Sequence, residues 1–311
     1  MKAAIVSAIG RVPEYGDIAP PVADSQHVIV NVKAAALSQL AKSRAAGTHY
    51  SAETHYPFIA GIDGTGYLED GQPVYFFAFQ APWGSMAEKT RIPANAIVPL
   101  PATLDLADAA ALANPGMSSW AALTRRAGLR KGETVLINGA TGISGGLAVR
   151  IARHLGAGKI IVTGRNQEAL TRLRHEGADI ALPLDTLAEA LPALMADGID
   201  VVLDYLWGQS ALDIMNAAVA GGDKAVRFVQ IGSLSGENIP LHSKLLRSSG
   251  LTLMGSGLGS VSDQGLLEAV NALLQAAGET DLTVPARRYP LSEVSHIWTQ
   301  ENSRERTVFT V

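Results

Sequence analysis

A glycine-rich turn that follows a buried apolar run constrains the fold of this chain more than any other feature. Thr134–Asn138 is a short β-branched run that fits a strand buried on both faces of a parallel sheet. Gly139, Gly142 and Gly145 then follow at intervals of three residues. In Leu147–Leu155 the apolar positions recur every four residues, as in an amphipathic helix. The segment therefore predicts a strand, a tight turn and a helix.

This arrangement predicts a dinucleotide site. Few side chains crowd the turn, so backbone amides can approach a pyrophosphate at the N-terminus of the helix. A methyltransferase-type or purely structural βαβ unit remains the alternative. We expect the phosphate contacts to come from Gly139, Thr141, Gly142, Ile143, Ser144 and Gly145.

The next β-branched run, Lys159–Thr163, indicates which dinucleotide the site prefers. An NAD site commonly has an acidic residue at the end of this strand, about 20 residues beyond the turn. This chain has Gly164, Arg165 and Asn166 there. A cation without an acidic neighbour suits a 2′-phosphate, so the sequence predicts NADP(H) as the cofactor. An ordinary solvated arginine is the alternative interpretation of Arg165.

Composition excludes several classes of function. The chain has 311 residues, is 47% hydrophobic and 17% charged, and is long enough for two domains. Its formal net charge of -4 gives no long-range attraction for nucleic acid or anionic membranes. It has no Cys, which excludes disulfides and thiolate metal sites. Without a signal-peptide pattern or a long apolar span, we expect a cytoplasmic protein.

The two parts of the chain differ in their sequence pattern. Residues 1 to about 100 read as short strands broken by Gly and Pro, which predicts a mostly antiparallel β domain. From about 130 to 257, strands alternate with helices, which predicts a doubly wound parallel sheet. Asn114-Pro115-Gly116 should break an Ala-rich helix between them. We expect a discontinuous first domain, 1–117 with 258–311, around a second domain, 118–257.

In its order of segments, the whole chain resembles the medium-chain dehydrogenase/reductase superfamily and, within it, the zinc-free quinone oxidoreductase branch. The resemblance implies a Rossmann domain that binds NADP(H) and a GroES-like catalytic domain, an α/β fold overall. The matching segments include VIVNVKAAALS, YPFIAGIDGTG, AAALANPGMSSWAAL, GLRKGETVLINGATGISG, IDVVLDY and YPLSEVSHIW.

The same resemblance implies that no metal takes part. In zinc alcohol dehydrogenases, the segments that match Ser38, Ile62 and Asn114 carry the ligands of the catalytic metal. These three side chains cannot form such a site, and the four-Cys structural lobe is missing.

Without a Lewis acid, oxidation of a plain alcohol is difficult, whereas reduction of an activated acceptor remains possible. A quinone or an α,β-unsaturated carbonyl delocalises the charge that hydride brings, and the protein must position the acceptor and offer a hydrogen-bond donor. By resemblance, Tyr50 and Ser38 are the catalytic candidates, with His49 third. A loop tyrosine, a helix-capping serine and a surface histidine are the alternatives.

Further cofactor contacts are implied by segment. Ser118 falls where the family contacts the nicotinamide, and other candidates end the later strands of the parallel sheet. These candidates are Tyr205, Ile231, Gly232, Ser233, Gly255 and Ser256. Phe77, Phe79 and Trp83 form either an apolar wall for a planar acceptor or part of the domain core.

Three functions remain open from the sequence. The leading one is NADPH-dependent reduction of quinones or enones, with a small-molecule substrate. The alternatives are an enoyl-thioester reductase and a non-catalytic NADPH-binding sensor or crystallin-like protein. The resemblance also implies a homodimer formed through Leu251–Met254, an apolar stretch that could equally be a buried edge.

Overall fold

The computed structural model of the protein describes residues 1–49, 52, 55–78, 80–220, 222–300 and 305–311. The chain forms two compact units, one of Met1–Asn114 with Val270–Val311 and the other of Pro115–Ala269. Within the described ranges, no helix is both long and apolar enough to span a bilayer.

The strands are β1 (Lys2–Val6), β2 (Glu14–Asp17), β3 (His27–Ala36), β4 (Phe58–Ile59), β5 (Asp63–Tyr67), β6 (Pro73–Phe77), β7 (Lys89–Pro93), β8 (Ile97–Pro99), β9 (Thr134–Asn138), β10 (Lys159–Gly164), β11 (Ile180–Pro183), β12 (Val201–Asp204), β13 (Val226–Gln230), β14 (Leu251–Gly255), β15 (Ala286–Pro290) and β16 (Arg306–Thr310). The helices are α1 (Gln39–Ala45), α2 (Leu106–Ala121), α3 (Ile143–His154), α4 (Gln167–His175), α5 (Leu187–Asp197), α6 (Gly208–Ala220), α7 (Lys244–Arg247), α8 (Asp263–Glu279) and α9 (Val294–Ile297).

The first unit contains two sheets. The larger has the order β15-β16-β3-β5-β6-β8, with β7 also paired to β3, and the smaller has the order β2-β1-β4. Apart from the parallel pair β15 and β16, the pairings are antiparallel. Val30 and Val32 of β3 pack against Val74, Phe76 and Ile92, whereas Asn31 between them is half-buried and Lys33 after them is exposed. This alternation buries one face of the strand, as an antiparallel sheet requires.

The second unit is a parallel sheet of order β11-β10-β9-β12-β13-β14. Its inner strands carry consecutive apolar residues, such as Val135–Ile137 and Val201–Leu203, because helices cover both faces of such a sheet. One covered face packs Leu136, Val202 and Phe228 of the sheet against Leu191 of α5 and Ile214 of α6. The strand order reverses between β9 and β12, and ligands of doubly wound sheets bind at this point. The predicted fold class, a doubly wound sheet with a mostly antiparallel β domain, is confirmed.

The prediction that Pro115 breaks the Ala-rich helix was wrong. Helix α2 continues through Pro115 to Ala121 and passes into a π-helical segment, Ala122–Ala127. Proline removes one backbone hydrogen bond, but burial on both sides of it favours continued helix. The hydroxyls of Ser118 and Ser119 donate to the Pro115 carbonyl at 2.8 and 3.4 Å. The buried residues that flank the proline are Ala109, Ala110, Ala111, Leu112, Ala113, Met117, Trp120 and Leu123.

The first unit also buries charge. Asp63 of β5 is fully buried, and its Oδ2 accepts a hydrogen bond of 3.0 Å from the Tyr75 hydroxyl. Its Oδ1 has no hydrogen-bond partner among the described residues, nor do Nε and Nη2 of Arg306. Burial raises the pKa of Asp63 to about 6, although the positive charge of Arg306 and the Tyr75 hydrogen bond act in the opposite direction. Neutral Asp63 is therefore the form that the folded state favours in mild acid.

This burial predicts a pH-dependent contribution to stability. The folded protein holds the Asp63 proton more tightly than the unfolded chain, so the stabilisation is complete below about pH 4 and is lost as the pH rises through about 6. We expect the free energy of unfolding of wild type, relative to Asp63→Asn, to fall by up to roughly 3 kcal/mol between these pH values. Urea unfolding at several pH values measures this difference.

Asp70→Asn is the matched control, because Asp70 is an exposed turn residue that accepts a hydrogen bond from the Gln72 amide. A difference between wild type and Asp63→Asn that stays constant from pH 4 to 6.5 would contradict the prediction.

Candidate cofactor and active site

The glycine turn after β9 uses each of its glycines for a different reason. Gly139 has φ +90°, and a Cβ there would lie 2.7 Å from Cγ of Leu206. At Gly145, a Cβ would lie 2.6 Å from the Gly139 carbonyl oxygen, so this glycine allows α3 to pack closely on the strand end. Gly142 is the N-cap of α3, and a Cβ there would meet no protein atom within 4 Å. The turn is thus closed on its protein side and open at Gly142.

Some backbone amides of this turn donate hydrogen bonds to protein groups, and others remain for a ligand on the open side. The Gly139 amide donates to the Thr163 hydroxyl at 3.2 Å, and the Ala140 amide to the Thr163 carbonyl at 2.8 Å. Within α3, the Gly146 amide donates to the Gly142 carbonyl at 2.8 Å. Amides earlier in the first turn of a helix precede its hydrogen-bond ladder. Those of Ile143 and Ser144 are therefore the natural donors to an anion.

The end of β10 lies beside this turn. A Cβ on Gly164 would lie 2.2 Å from Cγ2 of Thr141, so packing by itself demands glycine at this position. Arg165 is exposed and forms no ion pair within the described part of the chain. Asn166 caps α4, because its Oδ1 accepts from the Ala169 amide at 2.9 Å. The Asn166 side chain keeps its amide nitrogen as a donor, and a phosphate contact at Arg165 stays a prediction.

A buried polar network lies beneath the turn, and the sequence analysis did not identify it. The Asn138 side chain accepts from the Thr163 hydroxyl at 2.7 Å and donates to Asp204 Oδ1 at 2.8 Å and to Ser210 at 2.9 Å. Asn138, Thr163 and Asp204 are fully buried. The one available signal was their common position: each ends or nearly ends a strand of the parallel sheet.

The predicted contact Tyr205 has its side chain turned into the protein. It is buried, and its hydroxyl lies 2.7 Å from that of Ser119. Burial raises the pKa of Tyr205 to about 12, although hydrogen bonds with Ser119 and Ser118 act in the opposite direction. The Ser144 carbonyl, 3.3 Å from the Ser119 oxygen, is an alternative acceptor to Pro115 for its one hydroxyl proton, and this contact joins α2 to the first turn of α3. Cofactor contacts at Ser118 and Tyr205 stay predictions.

The remaining predicted contacts lie on the same edge of the sheet. The amides of Ile231 and Gly232 donate to the Asp204 carbonyl at 2.8 and 3.1 Å. A Cβ on Gly232 would lie 2.8 Å from the Tyr205 carbonyl oxygen. The Gly255 carbonyl accepts from Arg126 Nε at 2.7 Å, and the Ser256 amide donates to Gln230 at 2.9 Å. Ile231, Gly232, Ser233, Gly255 and Ser256 thus follow the adjacent strands β13 and β14, and their contacts with a cofactor stay predictions.

In the first unit, the catalytic candidates flank α1. Ser38 is buried and caps the helix, because its Oγ accepts from the Ala41 amide at 3.0 Å. Its O–H proton remains to be donated. Partial burial lowers the pKa of His49, and the nearby positive charge of Arg44 lowers it further. Tyr50 lies outside the described residues, as does Phe79.

A small pocket with a mixed polar and apolar lining opens beside α1 in this unit. Phe58, Ile59, Ile62 and Trp83 supply its large apolar walls, and Arg44 also lines it. Phe77 instead packs edge-on against Tyr75 in the buried core. Of the two described aromatics proposed as a wall, Trp83 therefore lines the pocket and Phe77 does not. Within the described ranges, no group of three or more His, Asp or Glu side chains could hold a metal.

Comparison with known proteins agrees with this geometry. A family described as Zinc-binding dehydrogenase matches residues 144–276, a range that does not include Ser38, Ile62 or Asn114. A probable NADPH-dependent quinone reductase, tdiC, of Emericella nidulans is 28% identical over 96% of this chain and 95% of its own length. An NADPH-dependent alkenal/one oxidoreductase of Arabidopsis thaliana is 27% identical over 95% of this chain and 75% of its own.

A solved structure extends the agreement to the whole fold. The quinone oxidoreductase of Thermus thermophilus, also solved in complex with NADPH, is 26% identical to this chain. The match covers 100% of both chains with a TM-score of 0.81. Over its full length the chain is therefore similar, in sequence and in fold, to quinone oxidoreductases of the medium-chain dehydrogenase/reductase superfamily.

Proposed function

We propose that the protein is an NADPH-dependent oxidoreductase that reduces quinones or α,β-unsaturated carbonyls. The observation that carries the proposal is the open glycine turn at the N-terminus of α3 beside the exposed Arg165. A pyrophosphate fits the first where no side chain intervenes, and a 2′-phosphate fits the second. The names of the fungal, plant and Thermus proteins, which pair NADPH with quinone or alkenal/one reduction, support the same activity.

One set of residues holds the cofactor, and another set contacts the acceptor. Amides of Ile143 and Ser144 bind the pyrophosphate, and Arg165 donates charge-assisted hydrogen bonds to the 2′-phosphate. When bound, the reduced nicotinamide supplies the hydride. Tyr50 or Ser38 then donates a hydrogen bond or a proton to the oxygen of the acceptor, where negative charge develops.

We propose further that the reaction needs no metal. A quinone or enone carries its own conjugated oxygen, so a protein hydroxyl can stabilise the developing charge without a Lewis acid. Ile62 supports this, because an apolar side chain lines the pocket at the position that matches a metal ligand of zinc alcohol dehydrogenases. The apolar walls of the same pocket suit a planar, poorly hydrated acceptor.

We propose that two copies of the chain pair through β14. This strand lies at the edge of the parallel sheet and hydrogen bonds to β13 on one side. Leu253 and Met254 are half-buried on it, which suits continued pairing. Sedimentation equilibrium at micromolar concentration should give the mass of a dimer, and a monomer would contradict the proposal.

The activity can be tested by following NADPH oxidation with a panel of quinones, enals and enoyl-thioesters, before and after chelation. We expect turnover of quinones or enals that chelation does not reduce. Turnover of enoyl-thioesters alone would favour the thioester reductase, and binding of NADPH without any turnover would favour a sensor. Stoichiometric zinc that is lost together with activity would contradict the metal-free proposal.

Gly142→Val tests the position of the pyrophosphate. Without a bound cofactor, its added side chain would point into open space. The variant should fold normally, yet the branched side chain should stand where the pyrophosphate sits. We expect NADPH affinity to fall by roughly tenfold or more, about 1.4 kcal/mol. Binding as tight as in wild type would show that the phosphates lie elsewhere.

Cofactor preference tests the role of Arg165 directly. A charge-assisted hydrogen bond contributes about 1.5 to 3 kcal/mol, which is roughly ten- to a hundredfold in affinity. We expect wild type to prefer NADPH to NADH by a factor of this size. Arg165→Ala should remove most of the preference and leave NADH binding nearly unchanged, as measured by fluorescence titration with both cofactors.

Arg174→Ala is the matched control, since it removes an exposed arginine from α4, the helix that follows. It should keep the wild-type preference. A ratio that changes equally in both variants would mean that overall charge, rather than a contact at Arg165, sets the preference.

A further inference from the structure

The Asn138 side chain has every hydrogen-bonding group in use, and its partners lie on different elements. Its Oδ1 accepts from the Thr163 hydroxyl on β10, and its Nδ2 donates to Asp204 on β12 and to Ser210 on α6. The residue itself ends β9. One fully buried amide thus joins the carboxyl ends of three neighbouring strands at the point where the strand order reverses.

On both sides of Asn138, the network ends at backbone amides of the turns that follow the strands. On one side, Thr163 Oγ1 accepts from the Gly139 amide at 3.2 Å, which orients the first peptide of the glycine turn. On the other side, the Asp204 carboxylate accepts from the amides of Leu206, at 3.1 Å, and Trp207, at 3.1 and 3.2 Å. The network therefore holds both the turn after β9 and the turn after β12.

The turn after β12 needs such support. Trp207 has φ +58° and, within the described residues, is the one non-glycine with positive φ. A bulky side chain rarely adopts this conformation unless its surroundings hold it there. The two turns also meet directly, because the Leu206 side chain lies against Gly139, where a Cβ would approach its Cγ to 2.7 Å. A shift in either turn would therefore displace the other.

We propose that Asn138 is a positioning residue for cofactor binding: it sets the two turns so that the amides of the glycine turn face the pyrophosphate. The proposal rests on the proposed function, because it concerns the same cofactor site. Asn138 contacts no part of the crevice itself, since it is fully buried beneath the turn. Its effect passes through Thr163 to Gly139 and through Asp204 to Leu206 and Trp207.

Asn138→Asp tests the proposal through pH. The variant keeps the shape and the acceptor for Thr163, but it replaces the donor to Asp204 with a second carboxyl oxygen. Among the groups that hydrogen bond to Asn138, Asp204 is the titratable one. Two buried carboxyl groups in contact share a proton in acid, and they repel each other at higher pH as the second of them ionises.

The measurement is NADP⁺ affinity by calorimetry from pH 5.5 to 8, for variant and wild type in parallel, so that titration of the 2′-phosphate cancels in the ratio. We expect the variant to bind within about threefold of wild type at pH 5.5 and roughly tenfold or more weaker at pH 8, the effect of losing a buried hydrogen bond. Wild-type affinity at pH 8 in a folded variant would overturn the proposal.

Thr163→Val provides a second test if Asn138→Asp unfolds at high pH. It removes the hydroxyl that links Asn138 to the Gly139 amide, and Thr90→Val is its matched control. Thr90 is equally buried in a strand, and its hydroxyl has no hydrogen-bond partner in the described chain. We expect roughly tenfold weaker NADP⁺ binding for Thr163→Val alone. Equal affinities in the two folded variants would overturn the proposal, whereas a wild type that binds no NADP⁺ would overturn the proposed function as well.

Discussion

The hydrogen bonds that join the carboxyl ends of β9, β10 and β12 are the interactions on which the candidate cofactor site depends. A helix N-terminus binds an anion only when its first amides are left without partners, and such amides favour local rearrangement. Here the residues immediately before those amides are anchored. Gly139 and Ala140 donate to Thr163, which also donates to Asn138. The protein side of the turn is saturated, and the ligand side is open.

The glycines of this region show that one residue type meets several physical demands. Gly139 satisfies a positive φ, Gly145 a close approach of helix to strand, and Gly164 a contact with Thr141. None of these three demands involves a ligand. Gly142, the N-cap of α3, has open space at its missing side chain, so packing within the protein does not demand glycine there. This distinction separates the glycines that packing requires from Gly142, the candidate for cofactor binding, although Gly139, Gly142 and Gly145 belong to the same spacing.

In the first unit, the buried core and the pocket beside α1 differ in their polar groups. Its core holds Asp63, Tyr75 and Arg306 with several polar atoms unpartnered, which disfavours full ionisation of Asp63. The pocket beside α1 instead combines apolar Ile62 and Trp83 with Arg44 in its lining. Ser38, at the start of α1, has its oxygen engaged as a helix cap, and its hydroxyl proton remains to be donated. The lining of the pocket therefore includes both apolar surface and a charged group.

The sequence by itself determined the features that depend on neighbours along the chain. The β-branched runs and the glycine spacing predicted β9, the turn and α3, because backbone conformation and helix amphipathicity are local properties. The basic end of β10 predicted the cofactor for the same reason. Only the tertiary structure decided the Asn138 network, whose partners Thr163 and Asp204 are 25 and 66 residues away. It also decided the fate of Pro115, since burial around α2 outweighed the lost backbone bond, and it revealed that packing against Thr141 demands Gly164. Such contacts depend on which strands become neighbours, and that order is set by the fold as a whole rather than by any one segment.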